Sequence, residues 1–155
     1  MLFSISEKVD NWRRQEGKIC YGAKDDTPGR FKMFDEGLLV GVKLVHVSGH
    51  VNCNSKREGG QSRWGCGGHR YVATTITDSF RGHIFPDQSK IHQGVDVDKS
   101  KDLVFINRED PIYVSSGMEL QVWYTEDLKD AAEVDNEGTH CVDVYTKVVD
   151  PLHFR

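Results

Sequence analysis

Met118-Glu119-Leu120-Gln121-Val122-Trp123-Tyr124-Thr125 is the stretch whose reading decides the fold. Side chains along a strand alternate between its two faces, so Leu120, Val122 and Tyr124 share one face while Gln121, Trp123 and Thr125 share the other. Ser115-Ser116-Gly117 punctuates the chain just before it. Cys141 to Lys147 alternates likewise and sets Val142 and Val144 opposite Cys141, Asp143 and Tyr145. Upstream, Leu38 to Val47 is rich in Leu and Val, with Val42, Leu44 and His46 on one face, and Ser48-Gly49 then invites a turn or bulge. Arg70 to Thr77, Leu103 to Asn107 and Ile112 to Val114 read as further strands. Strands of this length and spacing, with no long helical period, predict an all-β chain: an antiparallel β-sandwich with long loops and little helix. Short helices are expected only near Ser6 to Arg14 and within Leu128 to Glu133.

At 155 residues, with no internal repeat and no low-complexity tail, residues 1–155 form one domain large enough to bury a substantial core. A formal net charge of -4 brings no basic stripe, which argues against nucleic acid and against an anionic membrane surface. No stretch approaches the roughly 20 apolar residues that cross a bilayer, so no membrane insertion is expected. Met1 to Glu7 lacks the apolar core of a signal peptide, which fits either a mature secreted chain given an initiator Met or a cytosolic one.

The cysteines at 20, 53, 66 and 141 permit three pairings. Cys53 and Cys66 flank a Gly- and Ser-rich loop, where a local bridge is geometrically easy and worth about 3 kcal/mol in the chain-entropy model. Cys20 and Cys141 would then tie the N-terminal region to the penultimate strand. Two bridges favour an extracellular home; buried thiols, or Cys20 pairing across a dimer, are the alternatives.

Between the two alternating runs lies Glu126-Asp127-Leu128-Lys129-Asp130-Ala131-Ala132-Glu133-Val134-Asp135-Asn136-Glu137-Gly138, which packs six carboxylates and one amide into thirteen residues. An acidic run is ordinarily a solvated face, but like charges this close repel, and a loop without a cation gains nothing by concentrating them. Ca²⁺ takes six to eight oxygens from carboxylates, amides and carbonyls, at roughly 2.3 to 2.6 Å, and such a loop can supply them. Glu126 and Asp127, just past a strand end, are held more rigidly than the loop centre. Asp135-Asn136-Glu137 puts further oxygens beside Gly138, which can take φ > 0 and turn carbonyls inward. Glu126, Asp127, Asp135 and Asn136 are thus the expected metal ligands. The spacing is not that of an EF-hand loop. Asp143, inside an apolar strand, calls for a cation or an Arg partner.

Glu119 to Leu128, then Asp135-Asn136-Glu137-Gly138 and Cys141-Val142-Asp143-Val144-Tyr145, resemble the C-terminal signature of small secreted cnidarian proteins, among them a calcium-dependent, galactose-binding lectin of sea anemones. Val42 to Gly49 and Arg63-Trp64-Gly65-Cys66-Gly67-Gly68 are also similar, so the resemblance runs from about Leu38 to Tyr145. It implies a β-rich fold, a homodimer, secretion, and a Ca²⁺-dependent lectin for terminal galactose or lactose-type glycans. The chemistry of such a site is coherent. The 3- and 4-hydroxyls of a pyranose complete the shell of a bound Ca²⁺, and carboxylates accept the hydroxyl protons. Glu126, Glu133, Asp135 and Asn136 are the expected sugar-facing oxygens. The apolar face of galactose takes an aromatic platform, for which Trp64 and Trp123 are the indoles near these loops.

Two further chemistries fit less well. A zinc reading gathers His46, His50, Cys53, Cys66 and His69, but the spacing departs from zinc fingers. Catalysis would pair a histidine with Cys66 or Ser62, yet no nucleophile elbow or catalytic-cysteine signature surrounds them, and the acids crowd one loop rather than facing each other across a cleft. No enzyme is expected. The remaining alternative is a calcium-stabilised structural or adhesion module that binds no sugar.

Overall fold

Apolar residues at alternate positions need a sheet to bury one face, and the chain supplies eleven strands among the described residues, which are 12–15, 17–56, 59–68, 71–86, 96–130 and 134–153 of a computed structural model. In chain order the strands are β1 (Arg13–Arg14), β2 (Ile19–Gly22), β3 (Gly29–Lys32), β4 (Gly37–Asn52), β5 (Gln61–Ser62) and β6 (Thr74–Asp78), then β7 (His83–Phe85), β8 (Asp102–Ile106), β9 (Ile112–Val114), β10 (Glu119–Tyr124) and β11 (Glu137–Val149). All pairings described are antiparallel. The expected all-β sandwich is therefore what forms.

The larger sheet is built on the long β4–β11 pair. Short β1 and β2 continue it on the far edge of β11, and β5, β8 and β9 line the far edge of β4. The smaller sheet runs β3-β10-β6-β7. Between the sheets Val42, Leu44, Val142 and Val144 face Phe31, Ile76, Leu120, Val122 and Tyr124, all fully buried. Truncating one of these, for example Leu44→Ala, would cost about 2–5 kcal/mol through lost transfer energy and the cavity left behind.

Three local outcomes differ from the sequence expectation or sharpen it. Ser48-Gly49 makes no turn: β4 continues to Asn52, and the register against β11 shifts so that Cys141 faces Ser48 while Val142 faces His46, leaving Val47 as the extra residue of a bulge. The helix expected within Leu128 to Glu133 starts earlier, as α1 (Thr125–Lys129), directly after β10. It stops because Asp130 takes the left-handed conformation at φ 52°. Residues 131–133 lie outside the described residues. Of the expected helix at Ser6 to Arg14, Arg13 and Arg14 instead form a strand paired with Thr146 and Tyr145; residues 6–11 are outside the described set.

Both cysteine pairs close. Cys20 and Cys141 sit directly opposite each other on β2 and β11, and Cys53 joins Cys66 across 13 positions. Asp143 finds its Arg partner: Arg14 Nη2 lies 3.0 Å from its carboxylate.

Candidate functional site

The acidic segment becomes a site because β10 runs straight into α1 and because the turn that carries the chain from β2 of the larger sheet to β3 of the smaller one folds over it. Thr125 N–H donates to the Ala73 carbonyl at 2.8 Å, and the Thr125 and Thr75 hydroxyls meet at 2.8 Å, so the first turn of α1 is pinned to β6. Asp127 then points inward. It is fully buried, and its two carboxylate oxygens accept the backbone N–H groups of Asp26 at 2.9 Å and Thr27 at 3.0 Å. Two charge-assisted bonds of this kind offset the cost of burying the carboxylate. They also hold Asp25 and Asp26 at φ 68° and 52°, a conformation short acidic side chains tolerate better than most.

Glu126 leaves the other side of α1. Its Oε1 is buried and has no hydrogen-bond partner among the described residues, and the same holds for Oδ1 of Asn136. Asn136 is 1% exposed, and its Nδ2 donates to the Ala23 carbonyl at 3.0 Å, so its orientation is set by that bond. Burial, and then the charge of Asp135, hold the Glu126 carboxyl above its ordinary value, while the Asn136 amide pulls it back down. Asp135 is itself tied through its carbonyl, which accepts Ser55 N–H at 2.7 Å. Buried oxygens left without donors beside a second carboxylate are costly unless a cation satisfies them.

A second group of oxygens lies on the side of α1 that meets the β2–β3 turn. Asp26, Asp127 and Asp130 each bring a carboxylate oxygen within 4.8 Å of the others, an arrangement that could hold a metal ion. Arg81 borders it, 3.7 Å from the Asp26 carboxylate, with its guanidinium 4.8 Å from the centre of the Trp123 ring. The expected ligands therefore divide: Glu126, Asp135 and Asn136 gather on one side of the helix, and Asp127 serves the β2–β3 turn on the other. Glu133 lies outside the described residues, as does His69 of the zinc reading.

The aromatic-platform expectation needs correction. Trp64 is fully buried: its Nε1 donates to the Ser100 carbonyl at 2.6 Å, and its ring packs edge-on against His140. Trp123 is 1% exposed, bonded through Nε1 to Gln121 Oε1 and covered by Arg81. A ring supports a sugar only through an open face, and neither indole has one. The aromatic that does reach solvent here is Tyr71, 51% exposed, whose phenol burial and the Glu126 charge push up from its ordinary value.

Asp26, Asp130 and Tyr71 were missed from the sequence. Asp130 stood inside the acidic run, where only its place just after α1 distinguishes it. Asp26 is 101 positions from Asp127, and only the Asp-Asp-Thr-Pro-Gly turn signal at 25–29 hinted at a tight loop.

No protein-family model matches the chain, and no curated protein matches it by sequence. Among solved structures it superposes on AJLec from the sea anemone Anthopleura japonica with a TM-score of 0.81 and 29% identity, covering 92% of this chain and 100% of that one. The chain is thus similar in fold and in sequence to a sea anemone lectin, as the residues from Leu38 to Tyr145 led one to expect.

Proposed function

We propose that the chain is a secreted, Ca²⁺-dependent lectin that binds terminal galactose in glycans, with Glu126, Asp135 and Asn136 as the metal- and sugar-facing oxygens. The observation that carries the reading is a pair of buried oxygens, Glu126 Oε1 and Asn136 Oδ1, that have no hydrogen-bond partner among the described residues and lie near the Asp135 carboxylate. A hard cation is the partner this donor set fits, since all three groups offer oxygen and none offers nitrogen or sulfur. Bound there, Ca²⁺ would supply the positive centre that two vicinal sugar hydroxyls can share. The chain's own contribution is orientation. Asn136 is aimed by its bond to Ala23, α1 is pinned by Thr125, and Asp127 holds the β2–β3 turn against the helix. Tyr71, exposed and electrostatically coupled to Glu126, takes the platform role.

The lectin likeness and the two disulfides support the extracellular setting. One sugar buries little surface, so a homodimer presenting two sites would convert weak single contacts into useful avidity. Replacing Asp135 by Ala tests the assignment. Lactose binding is lost while the β-rich circular dichroism spectrum is unchanged; binding at wild-type affinity would move the site elsewhere.

The second reading, a metal-stabilised module without sugar binding, is favoured by one observation: both Asp127 oxygens are engaged by backbone N–H groups, so a cation at Asp26, Asp127 and Asp130 would serve the β2–β3 turn. In that case chelation lowers the unfolding temperature, and lactose never raises it with Ca²⁺ present.

A further inference from the structure

On the larger sheet, away from the acidic segment in sequence, His46, Gly49, His50, Gly59, Gln61, Ser62, Arg63, Asp98 and Lys99 line a cleft of about 390 Å³. That volume admits a single saccharide unit. Among the described residues its lining is glycine and polar or charged side chains, which favours a polar ligand over an apolar one.

Its histidine is aimed from the core. Tyr21, fully buried, meets Nδ1 of buried His140 at 2.9 Å, and Nε2 of His140 meets Nδ1 of His46 at 2.8 Å. The His46 and His140 rings stack with centroids 5.0 Å apart. With Nδ1 engaged, the remaining polar atom of the His46 ring is Nε2, and its orientation is set by a chain that begins in the interior. Burying two polar rings in series is expensive unless every link is satisfied, so this relay is a positioning device. Arg63 is positioned too: its Nη1 donates to the Lys99 carbonyl at 2.9 Å, leaving its other donors to the cleft. The same lining holds an acceptor in need of a donor. Asp98 Oδ1 is buried without a hydrogen-bond partner among the described residues, while Oδ2 accepts Gly68 N–H at 3.4 Å.

The geometry points to this cleft as a second saccharide site, distinct from the acidic segment, that takes an acidic sugar: the ligand's carboxylate or sulfate lies against Arg63 and Lys99, and a neighbouring hydroxyl donates to Asp98 Oδ1. Arg63 suits a planar or trigonal anion because its guanidinium offers paired donors. Asp98 discriminates against a bare inorganic anion, which has no hydroxyl to give and is repelled by the carboxylate.

The test is an NMR titration of the full chain with excess EDTA, so that a calcium-dependent sugar site is silent. N-acetylneuraminic acid, galactose and inorganic sulfate are the probes, and the His46 and His50 imidazole resonances are the readout. N-acetylneuraminic acid shifts both, with affinity at least tenfold weaker in Arg63→Gln and also reduced in Lys99→Gln, whose exposed side chain can change without disturbing the fold. Galactose leaves both resonances unmoved. Shifts that persist unchanged in Lys99→Gln and Arg63→Gln, equal shifts from sulfate, or no shift with N-acetylneuraminic acid would each overturn the proposal.

Discussion

Asp127 accepts the backbone N–H of Asp26 at 2.9 Å across 101 positions of sequence, and through that bond the acidic segment and the β2–β3 turn become one structure. The carboxylate is fully buried, and its second oxygen is taken by Thr27. Asp127→Ala would strand two backbone donors. The expected loss is about 2–3 kcal/mol, read as a lower urea midpoint at unchanged slope. Because the damage is to the β2–β3 turn and not to a ligand, the loss persists with Ca²⁺ absent. An equally stable variant would show that the bond is incidental.

Glu126 should respond with opposite signs in the two metal states. Its folded carboxyl sits above the ordinary value, first through burial and then through Asp135. In the window above that ordinary value the folded chain binds more protons than the unfolded one, so apo stability falls as pH rises through it. Glu126→Gln removes that slope and is stabilising at pH 7 without metal. With Ca²⁺ the same variant binds the ion at least tenfold more weakly. A variant destabilised in the apo state would contradict this placement of Glu126.

His140 sets the acid limb of stability. Burial, followed by the charges of His46, Arg63 and His50, lowers its folded value to about 3. Between there and the ordinary histidine value near 6.5 the unfolded chain holds the extra proton, so stability is lost as pH falls across that window. His46, also lowered by burial and Arg63, adds in the same direction. Urea midpoints at pH 7, 5 and 4 should drop steeply in the native chain and more shallowly in His140→Asn. Parallel slopes would refute the assignment.

The two disulfides are predicted to be unequal. Cys20 and Cys141 close 121 positions, and Cys53 and Cys66 close 13. In the chain-entropy model the first is worth about 5 kcal/mol and the second about 3. Paired Cys→Ser replacements, compared by thermal unfolding under oxidising conditions, should rank in that order.

How much of this was readable beforehand depends on whether the signal was local. β10, β11 and the first half of β4 announce themselves because alternation persists over enough residues to exclude chance. Arg13–Arg14, Gln61–Ser62 and His83–Phe85 are strands only because a neighbour pairs with them; two or three residues carry no period. Ile19–Gly22 and Gly29–Lys32 do alternate in burial, but over four residues each, between glycines and charges. Glu126, Asp127, Asp135 and Asn136 were visible as a cluster because they are close in sequence. That Asp127 faces the β2–β3 turn, and that Asp26 waits there, is a consequence of register between distant strands. The indoles misled for a related reason. Trp123 lies on the outward row of β10, but Arg81 from the β6–β7 turn covers it, and Trp64 is drawn into the interior beside His140.

The most direct measurement is isothermal titration of lactose and of mannose into the chain, with Ca²⁺ and again after EDTA. The account predicts heat from lactose that vanishes on chelation and none from mannose. Silence toward lactose in the presence of Ca²⁺, or lactose binding untouched by EDTA, would contradict it.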